Sequence, residues 1–492
     1  MNNTTATPTT PQHETSPARP WWAASVLLAA TALSLLTSTI VNVALPAMQR
    51  DLALSPAAVA WAVAGWALAY AIPLIPAGRL GDRIGHRRVF LVGITLFTLA
   101  SIACALSHTE WQLVAARILQ GAAGGVFYPA IAALLSTLFT GRDRARALAI
   151  MGAVIGVAAA VGPLLGGLIL QALPADQGWR AVFLLNLPLG LIISISAALL
   201  LRDINRTPNR QPQDHIGLLL LTLGLTGILT PLIIGQELSW PLWGWGLLTI
   251  GILTTIGFLF WESHLDRHGG LALLPPRLLR LPRFSIPVAI SFVQFAGFVS
   301  IFYVLALLWE TGLGHTPLEM GLLTLPEAIG SIIGSWAITR IIDRIGIHSI
   351  TTGSALLAAG MIGIWATLAY TPAAELTAWT LAIPLFITGL GTGTTMSPIL
   401  NYAIAAVPAT DAGSASGIIA TVQRLGNAVG LAAASAVFFT TLSHGPASDD
   451  RQYVTAAAAG LLLCAGLTLI GLLLAAALSA ISHHHNHAAE HQ

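Results

Sequence analysis

The sequence contains no lysine, only two cysteines and little charge of either sign. Charged residues make up 9% of the 492 positions, whereas 55% are hydrophobic and the mean hydropathy is +0.78. A soluble chain would carry about 25% charge, so a water-soluble globule is excluded. Cys104 and Cys464 both fall inside apolar runs, which argues against a disulfide framework. Every basic charge sits on arginine, whose guanidinium stays protonated throughout. The chain also lacks an HExxH pair, a Walker phosphate loop and a nucleophile elbow with partners. The hydrolase classes that use them and ATP-driven export are thereby disfavoured, and the chain is not expected to be an enzyme. Dyad alternation is missing too, so the apolar runs cannot be strands of a membrane barrel.

What remains is a series of long apolar runs, which read as membrane helices. Fourteen can be placed, the first near 22–46, the seventh and eighth near 215–235 and 241–261, and the last near 453–481. The predicted fold class is an all-α polytopic membrane protein. Residues 1–20 are polar and rich in Thr and Pro, as in a disordered tail, and do not resemble a cleavable signal. The His-rich stretch at 483–492 reads as an incidental tail and not as a metal site.

Arginine distribution sets the orientation. With the N-terminus in the cytoplasm, seventeen arginines fall on cytoplasmic loops and only Arg50, Arg180 and Arg451 fall outside. Such asymmetry predicts that both termini are cytoplasmic. One of these loops is "GRLGDRIGHRR", from Gly78 to Arg88, and part of it recurs. The stretch "RLGDRIG" at Arg79–Gly85 is echoed by "RIIDRIG" at Arg340–Gly346, with five of seven positions identical. "GAAGGVFYP", ending at Pro129, is echoed by "GTGTTMSP", ending at Pro398. A positive-inside loop needs basic residues but not an Asp and a Gly at matching offsets twice, so the pattern points to a transporter with two pseudo-symmetric halves. The predicted division is 21–203 for a first six-helix half, 204–283 for two inserted helices with their loops, and 284–482 for a second six-helix half.

On these motifs the chain resembles the major facilitator superfamily, and within it the fourteen-span drug:proton antiporters of multidrug efflux. The loop signature of that family matches Gly78, Asp82, Arg83, Gly85, Arg87 and Arg88, and its fourth-span signature matches "RILQGAAGG" with Arg117 and Gln120. The fifth-span antiport signature matches Gly152, Gly156 and the run Gly162, Pro163, Gly166, Gly167. "TIVNVALP", "WRAVFLLNLPLG" and "QRLGNAVG" also match that branch. The resemblance implies a major facilitator fold and a conformational latch at Asp82, echoed at Asp343 and Arg344. It also implies a span-five hinge, proton-driven export across the plasma membrane, and a proton gradient with no cofactor.

The residues carry physical readings of their own. Asp82, at a cytoplasmic helix end, can accept from backbone N–H groups or pair with arginines of the other half; a plain helix cap is the alternative. The span-five glycines permit close helix approach, and Pro163 should disturb its helix, so the segment reads as a hinge or as tight packing.

Three charges lie deep in the membrane: Arg117, Glu327 and Arg424. Counting about 1.5 Å per residue puts Glu327 and Arg424 at similar depth, so an ion pair is geometrically possible, as is an Arg424 held by carbonyls or water. The same count levels Arg117 with Thr37, where the resemblance leads one to expect an Asp partnering the arginine in proton coupling. Glu327, on a segment made irregular by Pro326, is the candidate replacement. Proton coupling is therefore assigned to Glu327, Arg117 and Arg424. Polar and aromatic residues placed to reach a central cavity are Asn42, Tyr70, Gln120, Tyr128, Gln294, Tyr303 and Asn427. The expected partners are amphipathic small molecules, protons and membrane lipids, with no nucleic acid, around a monomer. A facilitator or lipid transporter without antiport is the competing function. Two buried arginines against one glutamate give no reason to assume a cationic substrate.

Overall fold

Apolar runs that cannot reach water must satisfy their backbone groups internally, and here they do so as helices. The computed structural model describes residues 18–201, 214–235, 240–268, 274, 276–408, 411–443 and 450–490. The side chains of Asn42, Pro163, Asp343 and residues 482–490, the surroundings of Gly156, and residues 1–17 and 491–492 lie outside the described residues.

The first eight helices are α1 (Ala18–Asp51), α2 (Pro56–Ala71), α3 (Leu74–Ile84), α4 (His86–Ala105), α5 (Glu110–Leu138), α6 (Gly141–Ala172), α7 (Ala175–Leu184) and α8 (Asn186–Leu200). Next come α9 (His215–Ile234), α10 (Leu242–Arg267) and the short α11 (Pro276–Leu279). The chain continues through α12 (Pro282–Ala306), extended by a π-helical turn at Leu307–Gly312, then α13 (Pro317–Ile345) and α14 (His348–Tyr370). It ends with α15 (Ala378–Ala405), α16 (Ala412–Leu442) and α17 (Asp450–Glu490).

Among the described residues eleven helices are long and apolar enough to cross a membrane, or twelve with the bent pair α2–α3 taken as one span. That pair bends by 41° next to Pro73, which lacks the N–H an unbroken helix would use there. Helix starts carry their own signals. Ser55 accepts from the Ala58 N–H, Thr109 from the Gln112 N–H, and Thr316 forms a capping box with Glu319.

The two copies of the repeated loop end their helices in the same manner. Gly85 closes α3 at φ +101° and Gly346 closes α13 at φ +49°, both in the region that favours glycine. Packing repeats as well. α1 lies on α6 and on α8, as α12 lies on α16 and on α17; α4 packs on α5 as α14 packs on α15. Between these two groups, α3 and α5 meet α16, while α6 meets α13 and α15. The pair α9–α10 sits to one side, with α9 touching α2 and α16. α10 turns Trp243, Trp245, Ile250, Leu253 and Phe260 outward. Cys104 and Cys464 are free and buried.

Candidate functional site

The charged loop assembles first. Asp82, in the last turn of α3, points at the first turn of α16. Its Oδ2 accepts from the Ser414 backbone N–H at 3.2 Å and from the Ser414 hydroxyl at 3.0 Å. Ser414 occupies the third position of α16, whose N–H the residue before a helix usually satisfies. Here that residue, Asp411, makes no cap hydrogen bond of its own. It faces two guanidiniums instead: Arg79 of α3 at 3.6 Å and Arg277 of α11 at 3.0 Å. The start of α16 is thus capped by a carboxylate from another helix, where the helix dipole also favours negative charge.

His86 flanks Asp82, its Nε2 3.1 Å from Oδ1. Arg87 donates to the Ala198 carbonyl of α8 at 2.8 Å, Arg83 is partly buried and Arg88 is exposed at the start of α4. Gly78 is buried on α3. Arg344 is exposed. On the same side, Arg144 of α6 donates to Asn401 of α15 at 3.0 Å. The inserted pair reaches this cluster through buried Glu262 of α10, which accepts from the Leu274 N–H at 2.8 Å and faces Asp214 and Arg79.

Arg117 occupies a second polar assembly. It is 2% exposed, donates to the Ala62 carbonyl at 3.0 Å and to Gln120 at 2.6 Å, and lies against the Trp66 and Phe183 rings. Gln120 donates to Ser101 at 2.6 Å, Asn186 donates to Ser101 at 3.2 Å, and Thr37 bonds Asn186 at 3.0 Å. Thr37, at the position where an acid was expected, therefore stands at the far end of one hydrogen-bonded chain from Arg117. A guanidinium at the bilayer centre costs about 3 kcal/mol on insertion scales. Hydrogen bonds to charged groups contribute about 1.5–3 kcal/mol each, so the carbonyl and the amide offset that cost without a carboxylate.

Glu327 and Arg424 do not pair. Glu327, 5% exposed, sits on the face of α13 that packs on α15, where its own carbonyl approaches Gly389. Its Oε1 is buried without a hydrogen-bond partner. α13 runs unbroken through Pro326, contrary to the irregular segment expected there. The Arg424 guanidinium lies 4.5 Å from the centre of the Tyr70 ring on α2 and faces Tyr128 on α5. Matching depth along two separate helices is therefore not enough to bring the charges together.

The remaining cavity candidates scatter. Tyr70 and Tyr128 are neighbours, 5.9 Å between ring centres. Gln120 belongs to the Arg117 network, and Gln294 is buried between α12 and α14, donating to Ser354 at 2.7 Å. Both are therefore absorbed in packing and not exposed to a cavity. Tyr303 is partly buried on α12, and Asn427 lies one turn beyond Arg424 with its Oδ1 buried and unpartnered. Of the span-five glycines, Gly162 abuts Thr39 and Gly166 lies against Ile40 and Val43, both on α1. A Cβ added at Gly167 would meet no atom within 4 Å, and α6 is one helical segment from Gly141 to Ala172.

The profile of the Major Facilitator Superfamily matches residues 27–215 and 206–431. The chain belongs to the major facilitator superfamily. It is a membrane transporter by family and not an enzyme. Among its relatives is a probable actinorhodin transporter of Streptomyces coelicolor, 35% identical over 435 residues, which cover 88% of this chain and 75% of that one. The puromycin resistance protein of Streptomyces alboniger is 33% identical over 84% of this chain and 81% of its own. The tetracenomycin C resistance and export protein of Streptomyces glaucescens is 31% identical over 84% and 75%. A crystal structure of the human organic anion transporter MFSD10 superposes with a TM-score of 0.65 at 15% identity, covering 94% of this chain and 100% of that one. Ser414, Asp411, Ser101 and Asn186 went unnoticed in the sequence. The Asp-Ala-Gly-Ser run does mark a helix start, but nothing local reveals that the cap comes from α3.

Proposed function

We propose that this chain exports amphipathic organic compounds, antibiotics among them, from the cell in exchange for protons, by alternating access. The observation that carries the reading is the trans-capped start of α16, a junction of short polar contacts between Asp82 and Ser414 that can open and re-form as a unit. The relatives named for antibiotic transport and resistance supply the substrate class. α6 and α9 join the eleven long helices and the bent pair to make fourteen spans. Residues 21–203 and 284–482 are the two moving halves, 204–283 carry the inserted pair, and the arginine count puts both termini in the cytoplasm. Gly162, Gly166 and Gly167 give α6 the freedom to slide or flex on α1, with Gly156 and Pro163 in the same motif. Asp343 and Arg344 serve as a weaker second latch. Glu327 is the proton carrier, and Arg117 holds its half together.

One observation favours a second reading. Thr37 and Asn186 bring no ionisable group to Arg117, as a facilitator without antiport would have it. Proteoliposomes loaded with puromycin or a fluorescent dye decide between the two. An antiporter concentrates substrate only under an imposed pH gradient; a facilitator equilibrates it equally fast with and without one.

A further inference from the structure

The two arginines deep in the bundle are treated differently. Arg117 is enclosed, with a carbonyl, an amide and two aromatic rings around it. Arg424 is only partly buried. Among the described residues its neighbours are the ring and hydroxyl of Tyr70 and the side chain of Tyr128, none of which supplies a negative charge at neutral pH. A guanidinium has five N–H donors. The Tyr70 hydroxyl accepts from this guanidinium, and because Arg424 is only partly buried and makes no ion pair among the described residues, donors remain for a further partner.

Arg424 of α16 sits against α2 and α5, where the two halves meet. Tyr128 is partly exposed there, while Tyr70 is sealed behind the guanidinium and bonded to Ser34. The acid counted to a comparable depth, Glu327, is enclosed, with its Oε1 buried and unpartnered. The accessible charge between the halves is therefore positive. A planar guanidinium stacked on one aromatic face keeps its edge free to accept a two-oxygen anion, and a second ring beside it offers a surface for an aromatic skeleton.

We propose that Arg424, backed by Tyr70 and Tyr128, binds the anionic group of an aromatic acid, a carboxylate or sulfonate. This rests on the reading of the chain as an exporter of amphipathic compounds and narrows their class to acids. The test uses purified protein in nanodiscs and two fluorescent probes of equal shape, naphthoate and its neutral naphthamide. The wild type binds naphthoate at least about tenfold more tightly than naphthamide, the size of a charge-assisted hydrogen-bond pair. Arg424→Gln brings the two affinities together by weakening naphthoate alone, and Arg424→Lys keeps part of the preference. Equal affinity in the wild type overturns the proposal, a comparison that needs no variant to fold. So does a preference that survives Arg424→Gln. Efflux is measured separately in vesicles: a protein that prefers naphthoate but pumps nothing keeps the anion site and refutes the exporter.

Discussion

Asp82 and Ser414 stand 332 positions apart in the chain, yet the carboxylate of one caps the helix that the other begins. The bond joins α3 to α16, and Arg79 with Asp411 joins the same two helices beside it. A cap in trans differs from a local one in what it stabilises. A local cap holds a helix; this one holds two helices together only while they are docked.

Asp82→Asn should therefore leave expression and thermal stability near wild type while transport falls about tenfold, since charge-assisted bonds are roughly twice as strong as neutral ones. Ser414→Ala keeps the backbone N–H and should be milder. Cysteine labelling near α3 should show the cytoplasmic face open more often in Asp82→Asn. Wild-type transport in that variant would refute the latch.

Asp411 should prove as important as Asp82. Its carboxylate serves Arg79 and Arg277, but the latter side chain is 61% exposed and its pair is screened by water. Asp411→Asn and Arg79→Gln should each reduce transport severalfold, whereas Arg277→Gln should change it little. A loss in Arg277→Gln equal to that in Arg79→Gln would move the weight of the cluster to α11.

On α6, a methyl group added at Gly162 meets the Thr39 hydroxyl and lies 3.0 Å from its Cβ. Overpacking of this kind costs about 1–3 kcal/mol. Gly162→Ala should slow transport, Gly162→Leu should abolish it, and Thr39→Ala should partly rescue the alanine variant but not the leucine one. Turnover assays on the four proteins, with probe binding measured alongside, separate a defect of movement from one of folding. Unimpaired transport in Gly162→Leu would leave the close approach without a role.

The helices and the repeated loop were legible in the sequence because both are local: hydrophobic runs fix the spans, and a glycine at positive φ fixes each loop end. Depth was legible too. Counting residues levelled Thr37 with Arg117, and they are two ends of one hydrogen-bonded chain. Direction around the helix was not. Glu327 and Arg424 were counted to a similar depth, but Arg424 lies against Tyr70 and makes no ion pair with Glu327 among the described residues, and a residue count along single helices carries no information on which face meets which neighbour. The partners of Asp82 were hidden for the same reason, since a cap donated from 332 residues away leaves no mark beside the helix it caps.

Glu327 is the group whose proton should drive the cycle. Its Oε1 is buried with no hydrogen-bond partner, and no guanidinium fixes its charge among the described residues. Holding a charge at the bilayer centre costs about 3 kcal/mol on insertion scales. Protonating an ordinary glutamate at pH 7 costs a similar amount, about 3.7 kcal/mol. With the two costs so close, a change in hydration as the halves move is enough to load or release the proton, which no arginine can do. Glu327→Gln copies the protonated form. It should fold at least as stably as the wild type, because an unpartnered buried charge is removed. It should still bind substrate and still exchange it downhill across a membrane. Uphill efflux under a pH gradient, and the release of a proton on substrate addition to detergent-solubilised protein, should both vanish. A Gln variant that pumps against a gradient with the wild-type pH profile would place the proton on another residue and leave Glu327 a packing group of α13.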